Sequence, residues 1–92
     1  MYSDDNYPAI TLRTFLRFEE MLQETAAEHM RASHHATNVA RYFAKQPKGV
    51  DVASQWARES NRLVRLADEA VREAGLVATL RREMMADLGR GN

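Results

Sequence analysis

A chain of 92 residues holds one small domain and is too short for two, and without cysteine it has neither a disulfide framework nor a thiolate zinc site to staple a small core. Thirteen basic and thirteen acidic side chains cancel, which removes the bulk positive field that draws proteins to nucleic acid or anionic lipid. No run approaches ~18 consecutive apolar residues and the first ten lack a signal-peptide pattern, so the expected location is the cytoplasm.

Residues 1–11 read as a flexible polar segment, with Pro8 disfavouring helix just before it. Thr11 is the expected N-cap of a first helix, with Ile10 and Phe15 at hydrophobic-staple spacing. From there Phe15, Leu22, Ala26, Ser33, Ala36, Ala40 and Phe43 recur at steps of three and four, and His29 sits inside the same stripe. Pro47 stops the helix and Gly49 is expected to take the left-handed geometry of the turn, which gives helix over about 12–46.

Asp51 reads as the N-cap of a second helix whose stripe is Ala53, Trp56, Ser60, Leu63, Ala67, Ala70 and Ala74, giving helix over about 51–74. Gly75 is predicted to break or sharply kink it, since Ala74-Gly75-Leu76 suits a Schellman turn with Leu76 packing back on Val71. A short third helix over about 77–88 then follows, ended by Gly89. Against the break, the stripe runs on in phase through Val77, Leu80, Met84 and Leu88, and no residue at 74–78 is a good cap.

The fold expected is therefore all-α, an antiparallel helical hairpin with a kinked or broken C-terminal extension. The short turn makes the helices neighbours, so residues whose numbers sum to about 97 should be level, Ala40 with Ala57 and Ala26 with Ala70. Alanines let the axes close near the turn. The open end instead carries Phe15, Leu16, Phe18, Met21 and Leu22 opposite Leu76, Leu80, Met84 and Met85, more apolar surface than one partner helix covers. Leu16, Phe18, Met21, Leu80, Met84 and Met85 are accordingly the expected interface, completed by a folded-back third helix or by dimerisation into a bundle. The acidic first half of helix 1 and its basic second half also suit antiparallel self-recognition.

No catalytic residues are expected, because serines and carboxylates occur without a nucleophile–base–orienter set, a glycine-rich phosphate loop or an HExxH motif. His29, His34 and His35 fall on different helix faces and cannot chelate one ion together, so no metal or cofactor is expected. His29 reads as a buried, hydrogen-bonded histidine with Asp68 level with it. The polar contacts to be expected are His34, Arg41, Arg58 and Arg62, the last two in a row with Arg65 that could touch phosphates but is interleaved with Glu59, Asp68 and Glu69.

The hairpin lacks the Trp-x-Gly turn of the small WXG-type hairpin proteins, its turn reading Gln46-Pro47-Lys48-Gly49 with Trp56 well inside the second helix, so no family follows. Arginine far outnumbers lysine and alanine is abundant, the usage of a GC-rich bacterial or phage genome. The expected role is a non-enzymatic interaction protein, in all expectation a homodimer, that occupies a surface on another protein. A phage or mobile-element inhibitor of a host or defence complex fits, as does an adaptor or assembly subunit. A nucleic-acid-associated accessory factor using the arginine face is the alternative.

Overall fold

The computed structural model describes residues 7–90, with side chains from 11 to 89, as two helices, α1 (Tyr7–Ala44) and α2 (Val50–Arg90). No strand occurs among the described residues. Helix α1 begins earlier than expected. Pro8 falls in its first turn, where a missing N–H costs nothing and a fixed φ is already helical, so Thr11 lies inside the helix and is not its cap. Residues 1–6 of the expected flexible segment lie outside the described residues; 7–11 are helical.

The turn inverts the expected roles of two residues. Lys48 takes the left-handed conformation, φ 63°, while no glycine among the described residues has positive φ. Gly49 is needed for closeness instead, because a Cβ there would sit 2.0 Å from the Phe43 carbonyl oxygen. Its N–H donates to the Gln46 carbonyl at 3.1 Å, and its own carbonyl accepts from Ala53 N–H at 2.9 Å. Gly49 thus occupies the cap position expected of Asp51, which lies within the first turn of α2 and complements its dipole.

Gly75 does not break α2, and the third helix over 77–88 is absent: α2 runs unbroken to Arg90. With no cap residue to start a new helix, continuing costs only the ~1 kcal/mol of a helical glycine and keeps the packing stripe in phase. Beyond the glycine, the Thr79 hydroxyl donates to the Gly75 carbonyl at 3.0 Å.

The seam between the helices follows a strict alternation of three and four, the heptad pattern of a coiled coil. In α1 it runs Leu12, Phe15, Glu19, Leu22, Ala26 and on to Phe43; in α2 it runs from Ala53 through Ala74, Val77, Arg81 and Met84 to Leu88. Leu80, read as part of this stripe, lies beside it, and Arg81 takes its place. Ala26, Ala67 and Ala70 form the buried cluster at mid-length, with Ala36, Leu63 and Ala74 also buried. Small side chains bring the axes close but bury little, about 0.8 kcal/mol per methyl against about 1.5–3 for a leucine or phenylalanine.

Polar layers interrupt the alanines. Ser33 Oγ lies 2.9 Å from Ser60 Oγ and donates to the Ser60 carbonyl at 3.2 Å, Ser60 Oγ donates to the Ser33 carbonyl at 3.2 Å, and Thr37 Oγ1 lies 2.7 Å from Ser60 Oγ. Toward the open end Arg81 Nε donates to Glu19 Oε2 at 2.6 Å and Arg81 Nη2 to Oε1 at 3.4 Å. Glu19 is only 8% exposed. The bond to Glu19 raises the Arg81 pKa above its ordinary value, against the opposing effect of burial.

The molecule measures 70 × 25 × 12 Å and is one helix thick. Its radius of gyration is 20.6 Å, where a compact chain of this length has about 12 Å. Its accessible surface is 7377 Å², where a compact monomer of this mass exposes about 5,400 Å².

Candidate interaction surface

Residues flanking a heptad seam fall to one side of the hairpin or the other. On one side, here the groove side, two concavities run between the helices. The larger, about 490 Å³ near the turn, is lined by Ala40, Ala44, Val50, Ala53 and Ala57 with Arg41 on its wall. The next, about 320 Å³, is bounded by Met30, His34, Thr37, Arg41 and Val64. Seven-residue steps carry the same side to Leu16 and Gln23 in α1 and to Val71, Ala78 and Met85 in α2. The opposite, back side carries Phe18 and Met21 of α1 and Leu76 and Leu80 of α2 toward the open end. Nearer the turn His35 meets Trp56 edge-on, ring centroids 6.4 Å apart.

The six expected interface residues are thereby sorted. Phe18 (46% exposed), Met21 (56%) and Leu80 (53%) share the back side, Leu16 (45%) and Met85 (52%) share the groove side, and all five are open to solvent. Met84 is half-buried on the seam. Leu76, at 67%, was not among the expected contacts and is the most exposed apolar side chain of the back side. Its signal was available in the sequence: four residues before Leu80, it shares that helical face.

The expected polar contacts separate in the same way. His34 and Arg41 stand on the groove side. Arg58 lies with Arg65 around a shallow depression beside Asn61 and Val64. Arg62 is turned to Glu59, donating from Nε to Oε2 at 2.9 Å; this bond lowers the Glu59 pKa and raises that of Arg62. The arginine row is therefore divided, with Arg62 already neutralised by its neighbour.

His29 is only half-buried and Asp68 is exposed, so the expected buried pair does not form. Among the described residues no three of His, Asp and Glu converge as a metal site, and His34 and His35 face opposite sides of the hairpin. His34 does share a concavity with Ser33, Thr37 and Ser60. Those hydroxyls are bonded to one another and to the backbone, however, with no bond to His34. What the site offers chemically is apolar area and steric fit. No helix among the described residues is long and apolar enough to cross a membrane.

Comparison of the chain with protein families, curated proteins and solved structures finds no match.

Proposed function

We propose that this chain is a non-enzymatic helical interaction protein that assembles as a homodimer and acts by binding another protein through the back side of its open end. The observation that carries the reading is the exposed set Phe18, Met21, Leu76 and Leu80, large apolar side chains on one side of a single-layer hairpin. Apolar side chains gathered on one face mark sites of association rather than ordinary solvated surface. An inhibitor of a host or defence complex, of phage or mobile-element origin, uses such a surface to occlude its target; an adaptor or assembly subunit uses it to join one. Its place of action would be the cytoplasm.

A photo-crosslinking residue at Phe18 in the full chain, expressed in its native host, tests this. One dominant protein adduct is expected, lost when Leu80→Asp is added and retained when a surface charge such as Arg72 is changed. Failure of Phe18 to give any adduct that depends on Leu80 would remove the back side as the binding surface. If the captured species is instead a nucleic acid, with affinity falling steeply in salt, the arginine face is the working one.

A further inference from the structure

We propose that the groove side is the homodimer interface and that a second copy docks on it in reverse, the open end of each hairpin lying over the turn half of the other. This rests on the homodimer reading above and specifies the arrangement. The back side is left free for the target.

Four observations converge on a second copy. The first is area. A single layer of helices exposing 7377 Å² carries about 2,000 Å² more than a compact chain of its mass, and a standard interface takes about 800 Å² from each partner. One face of the hairpin can supply that amount.

The second is the chemistry of the face. The row from Leu16 to Ala44 in α1 and the row from Val50 to Met85 in α2, each in seven-residue steps, contain no charged side chain. On the back side the corresponding row of α2 includes Glu59, Glu73 and Asp87. The longer uncharged strip is thus the groove side, and a bundle core needs such a strip on every helix.

The third is shape. The open half of this side presents Leu16 and Met85, and its middle presents Met30 and Val71, all exposed. The turn half presents a hollow of about 490 Å³ between alanines. Two copies aligned the same way would set large side chains on large ones and hollow on hollow. Reversed, Leu16 and Met85 of each copy enter the alanine hollow of the other, and both hollows fill. The symmetry is an isologous two-fold, which closes at two copies. It lays α1 on the partner's α1 and α2 on the partner's α2, so that all four neighbouring pairs of the bundle are antiparallel.

The fourth is charge. On the flank of the groove side, α1 carries Glu20 toward the open end and Arg41 at the wall of the hollow. Among the described residues neither is engaged by an ion pair of the kind that joins Glu19 to Arg81 or Glu59 to Arg62. Reversal brings each Glu20 to the partner's Arg41, twice in one dimer, whereas alignment in the same direction does not. Gly75 adds a detail: a Cβ there meets nothing within 4 Å, so the hairpin itself has no use for the missing side chain, and Gly75 lies on this same flank between Val71 and Ala78.

Sedimentation equilibrium on the full chain, with far-ultraviolet circular dichroism on every variant, tests the arrangement. The wild type is expected at twice the 10.5 kDa chain mass. V71E alters an exposed residue, so it should stay helical yet weaken the dimer by about a hundredfold or more. E20R is basic at both ends of the face and R41E acidic at both, so each alone should dissociate by about tenfold or more. Mixed in equal amounts they should recover the dimer as a heterodimer, because each arginine of one variant then meets a glutamate of the other. A dimer that survives V71E but is lost in F18D, or an E20R and R41E mixture that stays apart, overturns the inference while leaving homodimerisation standing. A wild type still monomeric at about 100 μM overturns both, and leaves target capture at Phe18 as a separate result.

Discussion

The turn half and the open half of the hairpin share one seam period and solve the packing problem in opposite ways. Toward the turn, alanine and serine make up most of the seam beside Phe43 and Trp56, and hydroxyls of Ser33, Thr37 and Ser60 bond across it to one another and to the backbone. Toward the open end the side chains are leucine, phenylalanine and methionine, too large to be covered by one neighbouring helix, and the register is held by Glu19 and Arg81. The difference teaches that a heptad repeat fixes which residues face inward but not how much surface that inward face buries. Small residues make a tight pair that is complete apart from its hollow, whereas large ones leave apolar side chains open to solvent.

The comparison breaks most severely at the turn. Gly49→Ala drives a Cβ into the Phe43 carbonyl, and relieving the clash must move one helix end against the other. A loss of about 2–3 kcal/mol is expected, read as a fall of about 10–15 °C in the melting temperature of the helical signal. A melt within ~3 °C of wild type would show that the close approach at the turn matters little.

Next in size is the open half. Arg81→Leu leaves the buried Glu19 without its cation and should lower the melting temperature by about 10 °C. The double variant with Glu19→Leu should recover most of that loss, because two apolar residues need no mutual satisfaction. If the double variant is no better than the single, the pair does more than neutralise itself, and the open half owes its register to something other than Glu19 and Arg81. The smallest change sharpens the comparison from the other side. Lys48→Gly removes the strain of a left-handed lysine, φ 63°, and should raise stability by about 1 kcal/mol, or about 5 °C. No gain would mean that Lys48 makes a compensating interaction in the turn.

Much of this was legible in the sequence because small and apolar residues mark the seam. Ala26 with Ala70 and Ala40 with Ala57 lie where the short turn places them, and the serines were already part of the stripe. Reading failed where a local signal competed with a cooperative one. Gly75 carries the signature of a helix end, yet packing on both sides of it carries α2 straight through. Pro8 suggests a delayed start, but a proline in the first turn begins a helix as readily as it ends one. Leu80 reads as a seam residue because it is apolar, although strict alternation from Ala74 and Val77 leads to Arg81. A charged residue in that position looks like an error of phase until Glu19, at the corresponding level of α1, is recognised as its answer. The exposed residues of the open end are legible because large apolar side chains there occupy more of the helix circumference than one neighbouring helix covers. Their division between two sides is not, since it depends on which flank of the seam each occupies.

The alanine seam also has a consequence in time. A slip of seven residues preserves the three-and-four alternation, so the period of the seam by itself does not distinguish the native alignment from its neighbours. The contacts that do distinguish it lie at unequal distances along the chain: Ser33 and Ser60 are 27 residues apart, Glu19 and Arg81 62. Closing the longer loop first costs only about 0.7 kcal/mol more, but a chain that closes from the turn meets the serine layer long before the ion pair. The hydroxyls then act as the first checkpoint, rejecting a slipped alignment while few residues are committed. The ion pair ratifies what the serines have admitted, and opening runs the sequence backwards, from the end that carries the large apolar side chains.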